Sequence, residues 1–245
     1  MSNSIRPLAI AAAAACLLAP ALAQATTCDG YFEQSRTVTD LMTKAYAAMN
    51  AHDEKQYPVL LPQLKVQLNA LPATEIKAEA CKDHINAYTL QQYEELSTLR
   101  AHNLATGFPD TLPIVKQPDL NQAGLAYAVG WMSYESKDYA GAIAAYGKGL
   151  AMFPHNHELQ NEYAAALLQQ GEGAETVAFA DKVLSDTFDY SDVDRAKLYV
   201  ARGVGLVLTG DKAGAADAFK VAQLYNYTDD VKNWQDQLAA TDAKK

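Results

Sequence analysis

The sequence has few cysteines and lacks the common motifs of catalysis and nucleotide binding. Only three cysteines occur in 245 residues. No G-x-S-x-G, phosphate-binding glycine loop or H-E-x-x-H motif is present. After the N-terminal 23 residues, no apolar run approaches the length of a membrane span. These absences disfavour the common hydrolases, nucleotide-binding enzymes and integral membrane proteins.

Positive charge is also scarce. The chain has 20 Lys and Arg against 29 Asp and Glu, which gives a formal net charge of −9. Nucleic acids and anionic membranes bind proteins through basic patches, so neither is expected as a partner. A chain of this length can bury a substantial core, as one large helical domain or two smaller ones.

Residues 1–23 have the pattern of a secretory signal peptide. Arg6 gives a positive start, and the apolar run Leu8–Leu18 follows it. The segment ends in Ala21-Leu22-Ala23, the small-residue pattern that signal peptidase recognises. The sequence therefore predicts an exported, soluble protein of a bacterial periplasm, cleaved after Ala23 so that Gln24 becomes the N-terminus. Without residues 1–23 the formal charge becomes −10, because the segment contains Arg6 and no acid.

A lipoprotein is the alternative to soluble export. Lipidation requires a cysteine directly after the cleavage site, preceded by a leucine and small residues. Cys16 follows three alanines and Cys28 follows two threonines. Neither cysteine fits that pattern well, so soluble export is favoured.

Cys28 and Cys81 are the two cysteines that remain after cleavage. An even pair in an oxidising compartment predicts a disulfide, here closing a loop of about 50 residues. A redox-active pair is the alternative, but such pairs usually have C-x-x-C spacing at a helix start. A structural disulfide is therefore favoured.

Residues 24–106 are predicted to form an N-terminal helical segment. Two amphipathic stripes and a third long helix, over about 74–104, have apolar residues at helical spacing. The two stripes are Val38, Leu41, Met42, Ala45, Tyr46, Met49 and Leu61, Leu64, Leu68, Leu71. Three prolines between residues 107 and 118 predict a stiff, non-helical linker. The sequence leaves open whether the segment packs on the rest of the chain.

The most informative part of the sequence is residues 123–156. Small or apolar residues at positions 126, 129, 130 and 133 form one helical face, and a turn follows at Lys137-Asp138. A second helix then runs to Pro154. Helix, turn, helix and proline in 34 residues form a repeat unit.

This unit returns twice along the chain. The second copy spans 157–190, with Ala164 at the position of Gly130 and a turn at Gly171-Glu172-Gly173. The third spans about 196–228, with Gly203 at that position, after an acidic insertion around 189–194. Residues 229–245 are predicted to form a capping helix and tail, as stacked repeats require at their ends.

The first copy resembles the tetratricopeptide repeat. That family places small, aromatic and proline residues at fixed positions, which here are Gly130, Tyr139, Ala142, Tyr146 and Pro154. Small Gly130 and Ala142 are expected to allow two antiparallel helices to approach, with Tyr146 beside them. The departure is Ala126, where the family often has Trp. The resemblance implies an all-α solenoid of helical hairpins that binds a protein or peptide and needs no cofactor.

Five residues are candidates for the partner-binding groove of such a solenoid. Tyr127, Trp131 and Tyr134 form one stripe on the first helix of the first repeat, and Asn161 occupies the Tyr127 position in the second repeat. Lys197 lies on the first helix of the third. The alternative is that the three rings pack against the helix before the linker.

Some tetratricopeptide proteins hold a C-terminal carboxylate with Lys and Asn. Only Lys197 matches that pattern, so an aromatic-anchored ligand fits this sequence better.

Metal binding is not predicted. His155 and His157 lie in an inter-repeat turn without a third ligand nearby. Asp186, Asp189, Asp192 and Asp194 lack the glycine and the final glutamate of a calcium loop.

The sequence therefore predicts a protein-interaction scaffold or adaptor in the cell envelope. A binding module for a small ligand or regulatory peptide is the alternative, and a helical enzyme is less favoured than either.

Overall fold

The computed structural model describes residues 27–72, 74, 76–117, 121–186, 190–225 and Lys232; of residues 27–33 it describes the backbone only. The fold of this part is predominantly α-helical, as predicted. Its elements are, in order, α1 Thr27–Asn50, α2 Tyr57–Ala70, β1 Glu79–Ala80, β2 Ile85–Ala87, α3 Leu90–Ala101, β3 Ile114–Lys116, α4 Gln122–Glu135, α5 Tyr139–Met152, α6 His157–Gln170, α7 Gly173–Leu184, α8 Asp192–Thr209 and α9 Lys212–Tyr225.

Eight of these helices form four antiparallel hairpins that stack in sequence order. The hairpins are α1–α2, α4–α5, α6–α7 and α8–α9. The second helix of each hairpin also contacts the first helix of the next one. Each hairpin therefore buries its apolar faces against its neighbours, which is the principle of repeat solenoids.

The turn inside each repeat places one residue at positive φ. Gly171 has φ 86° and Gly210 has φ 88°, and Lys137 occupies the same position in the first repeat with φ 62°. Glycine adopts this conformation without strain, whereas lysine does so rarely. Asp138 and Asp211 follow, and each accepts a hydrogen bond from a backbone N–H of the next helix at 2.9 Å.

Close helix packing in the first repeat depends on Gly130, as the sequence predicts. A Cβ on Gly130 would clash with the ring of Tyr146, which is fully buried. In the third repeat Gly203 has the same relation to Phe219. The small residue on the first helix therefore makes room for a ring from the second helix.

The N-terminal hairpin packs directly on the repeats. One hydrophobic cluster contains Leu41 of α1, Leu64 of α2, Leu125 of α4, Tyr146 of α5 and Leu159 of α6. The ammonium group of Lys65 on α2 also lies 3.1 Å from the carboxylate of Asp138 in the α4–α5 turn. The N-terminal hairpin therefore packs on the repeats, which the sequence left open.

The predicted long helix over 74–104 is wrong. Within it, β1 and β2 pair antiparallel with Glu79 opposite Asn86, and α3 begins only at Leu90. Residues 85–88 are all buried, including the polar Asn86, so this segment shows no alternation of apolar and polar residues that would indicate a strand. Thr89 caps α3 by accepting a hydrogen bond from the N–H of Gln92.

The proline-rich stretch 107–117 contains no helix, but part of it belongs to a small sheet. Its residues Ile114–Lys116 form β3, which runs parallel to β2 with Ile85 opposite Ile114. Strands β1 to β3 and helix α3 form an insertion between the first and second hairpins.

The third repeat begins earlier than predicted. Helix α8 starts at Asp192 because Ser191 caps it, accepting a hydrogen bond from the N–H of Asp194. Two acids in a first helical turn interact favourably with the helix dipole. The acids predicted as a connecting loop are therefore partly helical. The predicted signal peptide lies outside the described residues, as does the capping segment 229–245 except for Lys232.

Candidate functional site

The first helices of the four hairpins lie side by side. Helix α1 contacts α4, α4 contacts α6, and α6 contacts α8. In stacked helical repeats, this layer of first helices faces the concave binding surface. We call the surface of these helices that carries Tyr46, Tyr127, Tyr134, Glu158, Glu162 and Lys197 the inner face.

Trp131 turns toward the N-terminal hairpin. Its ring lies 5.8 Å from that of Tyr57 at an interplanar angle of 78°, and 6.2 Å from the ring of His52. Tyr57 is only 3% exposed, and Trp131 itself is half-buried. This geometry favours the packing alternative for Trp131, with α2 and the α1–α2 turn as its neighbours.

The rings of Tyr127 and Tyr134 lie against rings of α5 instead. The ring of Tyr127 is 6.4 Å from that of Tyr146, and the ring of Tyr134 is 5.4 Å from that of Tyr139. Burial, followed by the charges of Glu162 and Glu158, raises the pKa of Tyr127 to about 12. Its phenol is therefore neutral at physiological pH and keeps its hydroxyl proton.

Asn161 is engaged by the next repeat. Its amide Nδ2 donates a hydrogen bond to Asp194 on α8 at 3.1 Å. Asp194 also accepts a hydrogen bond from the hydroxyl of Ser191 at 2.6 Å and lies 3.0 Å from His157 Nδ1. This predicted groove residue therefore connects α6 to α8. The other atom of its amide group, the buried Oδ1, has no hydrogen-bond partner among the described residues.

Glu162 is the residue of the inner face whose importance the sequence did not reveal. It is half-buried on α6, one position after Asn161. Burial and the negative charge of Glu158 raise the pKa of its carboxyl group, Lys197 opposes this shift, and Glu135 adds to it. The available signal was its place directly after Asn161 and four residues after Glu158 on the same helix.

The hydroxyl group of Tyr146 also lies toward this region. The charges that raise its pKa, after burial, are those of Glu162, Tyr127, Tyr134 and Glu135. Its oxygen is buried and has no hydrogen-bond partner among the described residues. A buried polar group without a partner is energetically unfavourable.

The predicted site residues thus separate into two groups. Tyr127, Tyr134 and Lys197 belong to the inner face together with Glu162. Trp131 and Asn161 make contacts between hairpins. The predicted binding role of all five remains a prediction.

The cysteine prediction concerns Cys81 near the start of β2. Its sulfur accepts a hydrogen bond from Asn86 Nδ2 at 3.2 Å. The side chain of Cys28 lies outside the described residues. The Cys28–Cys81 pairing therefore stays a prediction.

The two histidines of the inter-repeat turn pair with single carboxylates. His155 Nδ1 lies 3.5 Å from Asp186, and His157 Nδ1 lies 3.0 Å from Asp194. Among the described residues, no group of three His, Cys, Asp or Glu side chains is arranged to hold a metal ion. Within the same described residues, no helix is long and apolar enough to cross a bilayer.

Comparison with known proteins identifies the repeats. Residues 133–198, from the end of α4 to the start of α8, match the family model for the tetratricopeptide repeat. No curated protein matches the sequence. The first TPR domain of human RPAP3, solved by NMR, is 18% identical with a TM-score of 0.44, over 50% of this chain and 93% of that one. A tetratricopeptide repeat protein from Parabacteroides merdae, solved by crystallography, is 16% identical with a TM-score of 0.40, over 82% of this chain and 70% of that one.

Proposed function

This chain is a tetratricopeptide-repeat protein, and from that premise we propose that it is a scaffold or adaptor of the bacterial cell envelope, with no catalytic role. Tetratricopeptide repeats generally mediate protein–protein interaction. The proposal adds a location, a binding surface and a class of partner. The partner is a protein or peptide segment that lies along the inner face.

The amino-acid composition of the inner face is the main support for binding at this surface. Tyr127 and Tyr134 of α4 are half-buried, and the charge of the half-buried Glu162 of α6 contributes to the raised pKa of each. Tyrosine supplies a large contact area with a polar tip, and such residues are enriched where proteins bind one another. Tyr46 is close enough to Tyr127 to contribute to the raised pKa of Tyr127.

The location rests on the N-terminal sequence. Residues 1–23 have the charged start, apolar core and small-residue site of a secretory signal. An exported scaffold of net negative charge is suited to a protein partner rather than to a nucleic acid or an anionic membrane.

Site-specific photocrosslinking tests the proposed surface in the cell. A photoreactive phenylalanine analogue replaces Ala165, which lies on α6 one turn beyond Glu162, or Ala178, which is exposed on α7. We expect a discrete crosslinked partner from position 165 and none from position 178. Equal crosslinking from both positions, or none from position 165, would contradict binding at the inner face.

A further inference from the structure

We propose that the inner face receives a lysine or arginine side chain of a partner segment, at a subsite formed by Tyr127, Tyr146 and Glu162. This inference rests on the proposed function and specifies the chemistry of the partner. The evidence is the local charge, a buried hydroxyl group without a partner, and an aromatic ring beside both.

Negative charge predominates around the subsite. Glu158 lies one helical turn before Glu162, and Glu135 at the end of α4 also acts on it. Like charges at i and i+4 on a helix repel each other. Lys197 is the cation that acts on Glu162, and it is itself exposed. A partner cation would relieve this repulsion, whereas a partner carboxylate would add to it.

Tyr146 supplies the second observation, which is independent of the acids. Its side chain is fully buried, yet its hydroxyl oxygen has no hydrogen-bond partner among the described residues. The equivalent ring in the third repeat is Phe219, which packs on Gly203 as Tyr146 packs on Gly130. Packing of the ring therefore does not require the hydroxyl group. The charge of Glu162 acts on this hydroxyl group, and the ring of Tyr146 lies 6.4 Å from that of Tyr127. Its buried oxygen can therefore accept a hydrogen bond from a donor that enters between these side chains.

Ammonium and guanidinium groups match this arrangement because they carry only donors. The carboxylate of Glu162 and the phenolic oxygens of Tyr127 and Tyr146 are acceptors. The ring of Tyr127 additionally offers a face for a cation–π contact, which strengthens as the cation loses water. A basic side chain thus satisfies groups that the protein leaves in an unfavourable environment.

Selection from a phage-displayed library of random dodecapeptides on the immobilised protein identifies the preferred chemistry. We expect the selected peptides to be enriched in Lys or Arg. One of them is then measured by titration beside a copy in which norleucine replaces its basic residue. Norleucine keeps the aliphatic stem, so a loss of about tenfold or more in affinity reports the charged group itself.

Protein variants test which residues of the subsite contact the basic side chain of the peptide. Glu162→Gln should weaken the basic peptide by about tenfold or more, and Tyr146→Phe by a smaller factor, while both stay folded. Glu175→Gln, on the exposed side of α7, is the matched control and should bind as the wild type does. Affinity for the basic peptide should also fall with added salt.

The outcomes separate this inference from the proposed function. Selected peptides could crosslink to the photoreactive residue at position 165 yet show no enrichment in Lys or Arg, or bind the Glu162→Gln protein as tightly as the wild type. Either result would refute the basic subsite and leave the proposed binding surface intact. A library that yields no binder, together with no crosslink from position 165 in the cell, would overturn both.

Discussion

The ring of Tyr146 on α5 lies against the backbone of Gly130 on α4. A Cβ on residue 130 would clash with three carbon atoms of that ring. We therefore expect Gly130→Ala to lower the free energy of unfolding by about 1–3 kcal/mol, as overpacking of a core does. Urea unfolding measures it.

Gly147→Ala is the control for this variant. A Cβ there would lie 3.5 Å from Tyr163 Cε2, an ordinary contact, so the change should be neutral or stabilise α5 by up to about 1 kcal/mol. Equal stability of the two variants would show that the Gly130–Tyr146 approach does not limit packing.

Trp131 should behave as a structural residue. Because its ring packs edge-on against the buried Tyr57, we expect Trp131→Ala to destabilise the protein by about 3 kcal/mol, the lower end for loss of a large aromatic side chain. Thermal unfolding measures this. Leu224→Ala, at a side chain that is 79% exposed, should leave the melting temperature unchanged. If Trp131→Ala instead has normal stability and loses partner binding, Trp131 is a groove residue and the structural role is wrong.

The sequence predicted the contacts that repeat and missed those that do not. The spacing of Gly130, Ala142 and Tyr146 is sufficient to predict their packing, because the helical hairpin fixes it locally. The strand at 85–87 was missed because burial on both faces removes the alternation that identifies a strand, and the strand at 79–80 is only two residues long. The direction of Trp131 depends on where the N-terminal hairpin docks, which no local pattern encodes.

The same limit applies to the candidate site. Tyr127 and Glu162 lie on different helices, and only the stacking of α6 on α4 brings them together. Sequence reasoning found the aromatic stripe but assigned three rings to one surface. In the structure Trp131 turns toward the N-terminal hairpin, whereas the rings of Tyr127 and Tyr134 lie against α5 of their own hairpin.

The ionisation of Asp194 should make the free energy of unfolding depend on pH in the acidic range. Although burial opposes it, hydrogen bonds from Ser191, Asn161 and His157 hold the pKa of Asp194 below its usual value. A carboxyl whose folded pKa is depressed stabilises the fold above its unfolded pKa and loses that contribution as pH falls below about 4. We expect Asp194→Asn to be less stable than the wild type at neutral pH, with the difference shrinking in acid.

Urea unfolding at a series of pH values measures this difference. Asp217→Asn, at an exposed position on α9, serves as the control and should not alter the acid dependence. A constant gap between Asp194→Asn and the wild type at every pH would contradict the ionised network.

The intact mass of protein recovered from the cell envelope tests both predictions about the N-terminus. We expect a chain that begins at Gln24, carries no lipid, and is lighter than its fully reduced form by two hydrogen atoms. These values follow from the Ala21-Leu22-Ala23 site and from the pair Cys28 and Cys81. An acyl group on Cys16 or Cys28, or two thiols that react without reduction, would refute the corresponding prediction.

We expect the inner face to favour a bound partner at the expense of the stability of the free protein. Burial and like charge raise the pKa of Glu162, so its ionised form destabilises the folded state. That penalty develops as pH rises through the unfolded pKa and is complete above the folded pKa. Glu162→Gln removes it.

The most direct test measures unfolding and binding of Glu162→Gln side by side at neutral pH. We predict a higher melting temperature than the wild type, a stability difference that disappears below about pH 4, and weaker binding of the partner segment. A variant that is less stable than the wild type and binds its partner equally well would contradict the claim.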